Sequence, residues 1–328
     1  MKEALYWEKK EGGRVACHLC PHECVIAPGR RGRCRMRENR DGTLYSLNYS
    51  RVTAAALDPI EKKPLYHFYP GTAILSLGTL GCNLACAFCQ NWEIAHGDVP
   101  TRYLPPEEAV ALAERERVHG NIGLAFTYNE PFIWYEYVLD TARMSREKGL
   151  KNVLVTNGFV NPEPLEAILP YVDAMNIDVK AFREEYYHRL CGGKLEHVKR
   201  TVERAARSCH VEVTTLLVTD QNDSPEEVGE LAAWLASIDP AIPLHLSRYF
   251  PAYKMNLPPT PVERLERARE EALKHLRYVY LGNVGADNDT FCPGCGAVLV
   301  ARRGYAVAIT GIEKGACRHC GRAVEFPV

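Results

Sequence analysis

From residue 73 onward the chain alternates short apolar runs with longer stretches whose apolar residues recur at helical spacing. Residues 73–80, 122–128, 152–157, 174–179, 211–218 and 244–249 predict strands. Amphipathic patterns over 106–118, 132–147, 164–172, 184–207, 225–238 and 261–276 predict the helices that follow them. Strands alternating with helices of this length predict βαβ units and a parallel sheet. Six such units, short of the eight that close a barrel, predict an α/β fold: an open partial (β/α)6 TIM-type barrel over residues 73–285. Before it, residues 44–57 alternate β-branched and aromatic residues as a hairpin or edge strand would. Residues 58–68 carry two prolines and predict an ordered connection with a lining or packing role.

Composition narrows the setting. Hydrophobic residues at 46% and charged residues at 25% suit a water-soluble globular chain, and no apolar run approaches the ~18 residues needed to cross a bilayer. The first residues mix acids with bases and lack an apolar core, so no signal peptide is expected and a cytoplasmic location is. A formal net charge of -1 leaves no basic excess of the kind nucleic acid demands. Thirteen cysteines in a reducing compartment then point to metal rather than disulfides.

Eleven of those cysteines fall into three sets. Cys17, Cys20, Cys24 and Cys34, spaced C-x2-C-x3-C-x9-C in a Pro/Gly/Arg-rich segment, predict a metal knot over residues 1–72. Zinc is the first choice there, a second iron-sulfur cluster the alternative and free thiols the third; His18 or His22 could replace a cysteine or be plain loop residues. Cys292, Cys295, Cys317 and Cys320 form two C-x2-C knuckles that predict a zinc ribbon over 286–328, closed to catalysis, with a rubredoxin-type iron site as the alternative. The third set is Cys82, Cys86 and Cys89, spaced C-x3-C-x2-C directly after the first strand. Soft sulfur ligands on one short loop select zinc, copper(I) or an iron-sulfur cluster, and the count favours iron, since three thiolates on a four-iron cubane leave one iron open; three buried or zinc-bound cysteines are the plain alternative.

Loops at the carboxyl ends of parallel strands converge on one opening, so the residues there carry the chemistry. After the second strand come Asn129 and Glu130, in Thr127-Tyr-Asn-Glu-Pro131; after the third come Thr156 and Asn157. The fourth ends in Asn176-Ile-Asp-Val-Lys180, whose alternation puts Asn176, Asp178 and Lys180 on one face. The sixth contributes His245, Arg248 and Tyr249. As plain structure, Asn129 would be a turn residue, Asp178 and Lys180 an ion pair, and His245 a satisfied core histidine. Cys191, before a double glycine, could donate hydrogen, capture substrate or be a buried inert thiol; Cys209 reads as core.

The cysteine loop, with Phe88 before its third thiol, resembles the signature of the radical S-adenosylmethionine (SAM) enzymes. In that family the open iron of a [4Fe-4S] cluster is chelated by SAM, and reductive cleavage gives a 5'-deoxyadenosyl radical that abstracts hydrogen. The strand-end motifs are similar to those of the pyruvate formate-lyase activating enzymes, which implies that Asn129, Glu130, Thr156, Asn157, Asp178 and Lys180 hold SAM and that His245 approaches it. Tyr128 and Asn129 replace the glycines of the family's Gly-Gly-Glu-Pro motif, and Val155 replaces an aspartate. The order of motifs along the whole chain resembles the radical SAM protein of the AmmeMemoRadiSam system. The resemblance implies a reduced flavodoxin- or ferredoxin-like electron donor, an unidentified substrate and Memo-type protein partners. A glycyl-radical activase, a nucleic-acid modifier gripping through the ribbon, and a non-catalytic metal-binding scaffold are the competing readings.

Overall fold

The computed structural model describes residues 1–285 and 287–328; the expected junction at Ala286 lies outside the described residues. Eight strands make the central sheet: β1 (Ala54–Pro59), β2 (Ala73–Gly78), β3 (Asn121–Phe126), β4 (Lys151–Thr156), β5 (Ala174–Asp178), β6 (His210–Leu217), β7 (Leu244–Arg248) and β8 (Val279–Gly282). They lie side by side in chain order. β1 runs antiparallel to β2, and every later pair is parallel, as expected where each strand returns through a helix. Among the described residues no pairing joins β1 to β8, so the barrel is open.

The helices show why the pattern was legible. Leu195–Ala205 buries Leu195, Val198, Val202 and Ala205, one stripe at spacings of three and four. Pro225–Ile238 starts at Ser224, whose hydroxyl accepts the Glu227 amide, with Pro225 in the first turn. Two features depart from expectation. The strand β8 is four residues with no helix after it, too short to register as another βα unit. The helix expected over 184–207 is broken: a π turn spans Tyr187–Cys191, Gly192 is left-handed at φ +69°, and helix resumes at Leu195.

The segment before the barrel is built of short antiparallel ribbons, Lys2–Glu3 with Thr43–Ser46 and Arg37–Arg40, and Trp7–Lys9 with Val15–Cys17 and Val25–Ile26. Val15, Leu19, Ile26 and Leu44 join the main hydrophobic core, and a fully buried Arg37–Glu136 ion pair at 2.6 Å ties the segment to the helix Tyr135–Glu147.

The amino ends of the strands are closed by a polar plug. Glu212, fully buried on β6, accepts from His245 Nε2 at 2.6 Å, His210 Nε2 at 3.0 Å and the amides of Tyr66 and His67. The C-terminal module, with strands Thr290–Phe291, Val298–Arg303 and Ala306–Ile309, docks against this end. Its buried Arg302 donates to the Tyr66 carbonyl at 2.6 Å and lies over the Tyr66 ring. Among the described residues no helix is long and apolar enough to cross a membrane.

Candidate active site

At the opposite, carboxyl ends of the strands a single cavity is lined by Cys82, Cys86, Cys89 and Phe88 from the loop after β2, by Asn129 and Glu130 after β3, Asn157 after β4, and Asp178 and Lys180 after β5. Nine residues predicted from sequence therefore converge on one opening. Other predicted residues do not line it, Asn176, Arg248 and Tyr249 among them. Thr156 lies beneath and donates to Glu130 Oε1 at 2.7 Å. Cys191 is fully buried behind the loop, its thiol directed at the Cys86 sulfur, which draws Cys86 below the usual thiol range. His245 is held in the Glu212 plug at the far end, hydrogen-bonded and stacked on Tyr280.

The double glycine after Cys191 explains the seat of the cysteine loop. The π turn offers the Leu190 and Cys191 carbonyls to the amides of Ala87 and Ala85 at 2.9 and 2.7 Å. A Cβ on Gly193 would come within 2.5 Å of Leu84 Cδ2, so any larger residue there would have to push the buried Leu84 side chain aside. Asn83 fixes the inner side of the loop by donating to the Phe159 carbonyl.

Loop sulfurs are served by donors that suit thiolate ligands: the Leu84 amide at 3.4 Å and Asn157 Nδ2 at 3.6 Å, both to Cys82 Sγ. No three of the cysteine, histidine and acidic ligand atoms here lie within 4.8 Å of one another, a spacing too wide for one shared ion. A cubane, which seats each thiolate on a separate iron, fits such a set. The donor set therefore fits a [4Fe-4S] cluster held by Cys82, Cys86 and Cys89.

Asp178 and Lys180 pair at 2.7 Å on the wall. Burial works against the Lys180 ammonium, but Asp178 and the Cys86 sulfur outweigh it and hold its pKa above the ordinary value. Glu130 is pushed up to about 7 by burial, although it accepts the amides of Asn157 and Phe132 and the Thr156 hydroxyl. With its oxygens turned inward, Glu130 organises the β3 and β4 loops. Asn129 likewise spends its side chain on the Thr79 amide and the Gly81 carbonyl.

Sequence reasoning missed how Tyr128 is held. Its φ is +72°, a left-handed conformation costly for a bulky residue. Its hydroxyl donates to Asp58 Oδ2 at 2.6 Å, its carbonyl accepts Asn91 Nδ2 at 2.7 Å, and the Lys63 ammonium lies 4.7 Å from its ring centre. Asp58 also receives Lys62 and Lys63. The proline-rich connection is thus the brace of this loop. Thr214, Ser247 and Asn283, also missed, complete the wall; single polar residues at strand ends carry no pattern to find them by.

In the C-terminal module Cys292 and Cys320 stand 3.6 Å apart, Cys295 and Cys317 3.7 Å, and all four sulfurs lie within 4.8 Å of one another. Gly296 and Gly321, at φ +74° and +76°, close the two knuckle turns. The amides of Cys320 and His319 draw the Cys317 thiol down to about 6. The set lies at the end of the barrel away from the cavity.

The pattern that defines the Radical SAM superfamily matches residues 77–235. An uncharacterised protein of Methanocaldococcus jannaschii is 42% identical over 337 residues, covering 99% of each chain. The pyruvate formate-lyase 1-activating enzyme of Escherichia coli is 24% identical over 168 residues, 48% of this chain and 68% of that one. Streptococcus suis SuiB bound to S-adenosylmethionine superposes with a TM-score of 0.51 at 14% identity, over 65% of this chain and 52% of that one, a likeness of fold.

Proposed function

The chain belongs to the radical SAM superfamily, and from that premise we propose that its cavity binds SAM beside a [4Fe-4S] cluster on Cys82, Cys86 and Cys89 and sets hydrogen abstraction on a substrate held above them. When bound, the cluster supplies the electron that splits the sulfonium bond of SAM, giving the 5'-deoxyadenosyl radical. The carrying observation is the convergence of the three thiols with the Asp178–Lys180 pair and the Asn129, Glu130 and Asn157 loops on one opening.

Each residue has a part that its surroundings support. Lys180, kept charged by Asp178, meets the carboxylate or ribose oxygens of SAM. The backbone at Asn129, whose side chain is spent on the Thr79 amide and the Gly81 carbonyl, receives the SAM amino group. Asn157 orients the Cys82 sulfur, and Phe88 packs the loop against Tyr186. Zinc in the C-terminal quartet has a structural part only, because four cysteines at that spacing leave no open position.

Among substrates, a partner polypeptide carrying a target glycine is supported by the likeness to an activating enzyme, and Memo-type proteins by the motif order along the chain. A reduced flavodoxin- or ferredoxin-like protein serves as electron source. A nucleic-acid grip by the ribbon finds no support, since the ribbon sits at the closed end of the barrel. The test is anaerobic reconstitution with iron and sulfide, reduction, and measurement of 5'-deoxyadenosine and methionine from SAM. Protein with a full cluster that yields neither would refute the reading. Transfer of deuterium from labelled cell proteins into 5'-deoxyadenosine would mark a polypeptide substrate; transfer only from small metabolites would exclude it.

A further inference from the structure

The N-terminal cysteines Cys17, Cys20, Cys24 and Cys34 line one cavity together with Arg37. Tetrahedral zinc, with bonds of about 2.3 Å, sets its sulfurs about 3.8 Å apart, and the C-terminal quartet meets that spacing at 3.6 and 3.7 Å. Among the described residues that quartet is the one group of three or more cysteine, histidine or acidic ligand atoms lying within 4.8 Å of one another. The N-terminal sulfurs share a cavity, but no three of them lie within 4.8 Å of one another, and the same holds for the Cys82 loop. A cubane seats each of its thiolates on a different iron and requires such spread.

Neighbouring groups agree with an anionic occupant. The amides of Leu19, His22 and Met36 face the sulfurs of Cys17, Cys20 and Cys34. Arg37 is 1% exposed, and its Nε has no hydrogen-bond partner although its other nitrogens reach Glu136 and the Leu5 carbonyl. The histidines do not complete a tight set either: His22 Nε2 is taken by the Asn83 carbonyl at 2.7 Å and His18 Nδ1 by Glu23, and with the other ring nitrogens counted no three ligand atoms here lie within 4.8 Å of one another. We propose that Cys17, Cys20, Cys24 and Cys34 hold a second [4Fe-4S] cluster, not zinc.

Four thiolates leave no iron open, so the chemistry of this centre is one-electron transfer. It accepts one electron from a reduced low-potential carrier protein of the flavodoxin or ferredoxin class and releases the same electron, with no bond made or broken. The exit is built in: His22 touches Asn83, and the Cys34 carbonyl lies so near Gly81 that a Cβ there would come within 2.8 Å, both contacts flanking Cys82. That direction of transfer rests on the proposed function; the cluster itself does not.

The test is metal counting and electron paramagnetic resonance on the full chain reconstituted anaerobically with iron, sulfide and zinc. The wild type is expected to hold about eight irons and about one zinc. A C82A/C86A/C89A variant should keep about four irons, with a reduced-cluster signal that SAM does not alter. Two zincs with no iron in that variant overturn the proposal. Should that variant not fold, C24S at the half-exposed corner decides: a three-iron signal beside an intact SAM-responsive one supports it, and loss of zinc with iron unchanged overturns it. Wild type with both clusters that fails to cleave SAM would refute the function and leave this inference standing.

Discussion

Replacing Tyr128 separates the brace from the strain it restrains. At φ +72° a bulky residue stores about 1–3 kcal/mol, and the structure offsets this chiefly through the hydroxyl bond to Asp58 at 2.6 Å. A hydrogen bond to a charged group contributes about 1.5–3 kcal/mol; because Tyr128 is only half-buried and Asp58 keeps Lys62 and Lys63, the lower end applies. Tyr128→Phe should therefore lose about 1.5 kcal/mol and, by loosening the loop through Glu130, weaken SAM binding about tenfold. Tyr128→Ala and Tyr128→Gly both remove the ring, but only alanine keeps the left-handed penalty. Glycine should be the more stable by about 1 kcal/mol, a reversal of the usual advantage of alanine over glycine. Denaturant midpoints and SAM equilibrium binding on anaerobically reconstituted protein measure both quantities. Tyr128→Ala as stable as Tyr128→Gly, with Tyr128→Phe binding SAM like wild type, would refute the reasoning.

Single alanine substitutions of Cys82, Cys86 or Cys89 should abolish 5'-deoxyadenosine formation while zinc content holds at its wild-type level, as read by metal analysis. Gly193→Ala must displace Leu84, since the added carbon meets it at 2.5 Å, and should lower the iron retained at the SAM loop with little change in secondary structure by circular dichroism. Burial alone would raise the Glu212 pKa, yet the bonds from His210 and His245 hold it well below the ordinary carboxylate range. Its charge thus stabilises the fold above the unfolded value of about 4.3 and that stability fades as pH falls below it; Glu212→Gln should flatten the fall in melting temperature between pH 5 and pH 3 (about that window), and an unchanged slope would count against the plug. Chelating the zinc proposed for the C-terminal quartet, or Cys295→Ser, should loosen that module to protease while SAM binding at the far end persists, a dissociation that limited proteolysis and binding assays detect.

The six βα units were legible because each strand is apolar enough to be buried on both faces and each helix carries one stripe, so local periodicity and tertiary fate agree. The antiparallel β1 was visible as an edge strand, but not that it continues through Pro59 to place Asp58 under Tyr128: the proline-rich spelling hid a strand end. Along β5, alternation gave Asp178 and Lys180 their face correctly, while Asn176 on that face is buried and donates to the Pro64 carbonyl. The resemblance set His245 toward SAM, and the structure instead has the alternative, a satisfied core histidine. Its position near the amino end of β7 sets it against Glu212, and a period of two says which side a residue faces but not how far along the barrel it lies. The cysteine loop was the clearest signal, since three thiols in eight residues admit few purposes. Spacing alone could not separate zinc from iron in the N-terminal set; the proposal of a second cluster there rests on the three-dimensional placement of the sulfurs, which sequence does not carry.

The docking of Arg302 on Tyr66 has a consequence for how the chain acquires its shape. Tyr66 and His67 wait on Glu212 from the barrel and Tyr66 also on Arg302 from the cysteine-bearing module, contacts 146, 145 and 236 residues distant in sequence. Pairings so remote are slow to form. On the ribosome, the barrel's base therefore stays unsealed until Arg302 has emerged, and the buried acid of Glu212 gains its full shelter only after that point.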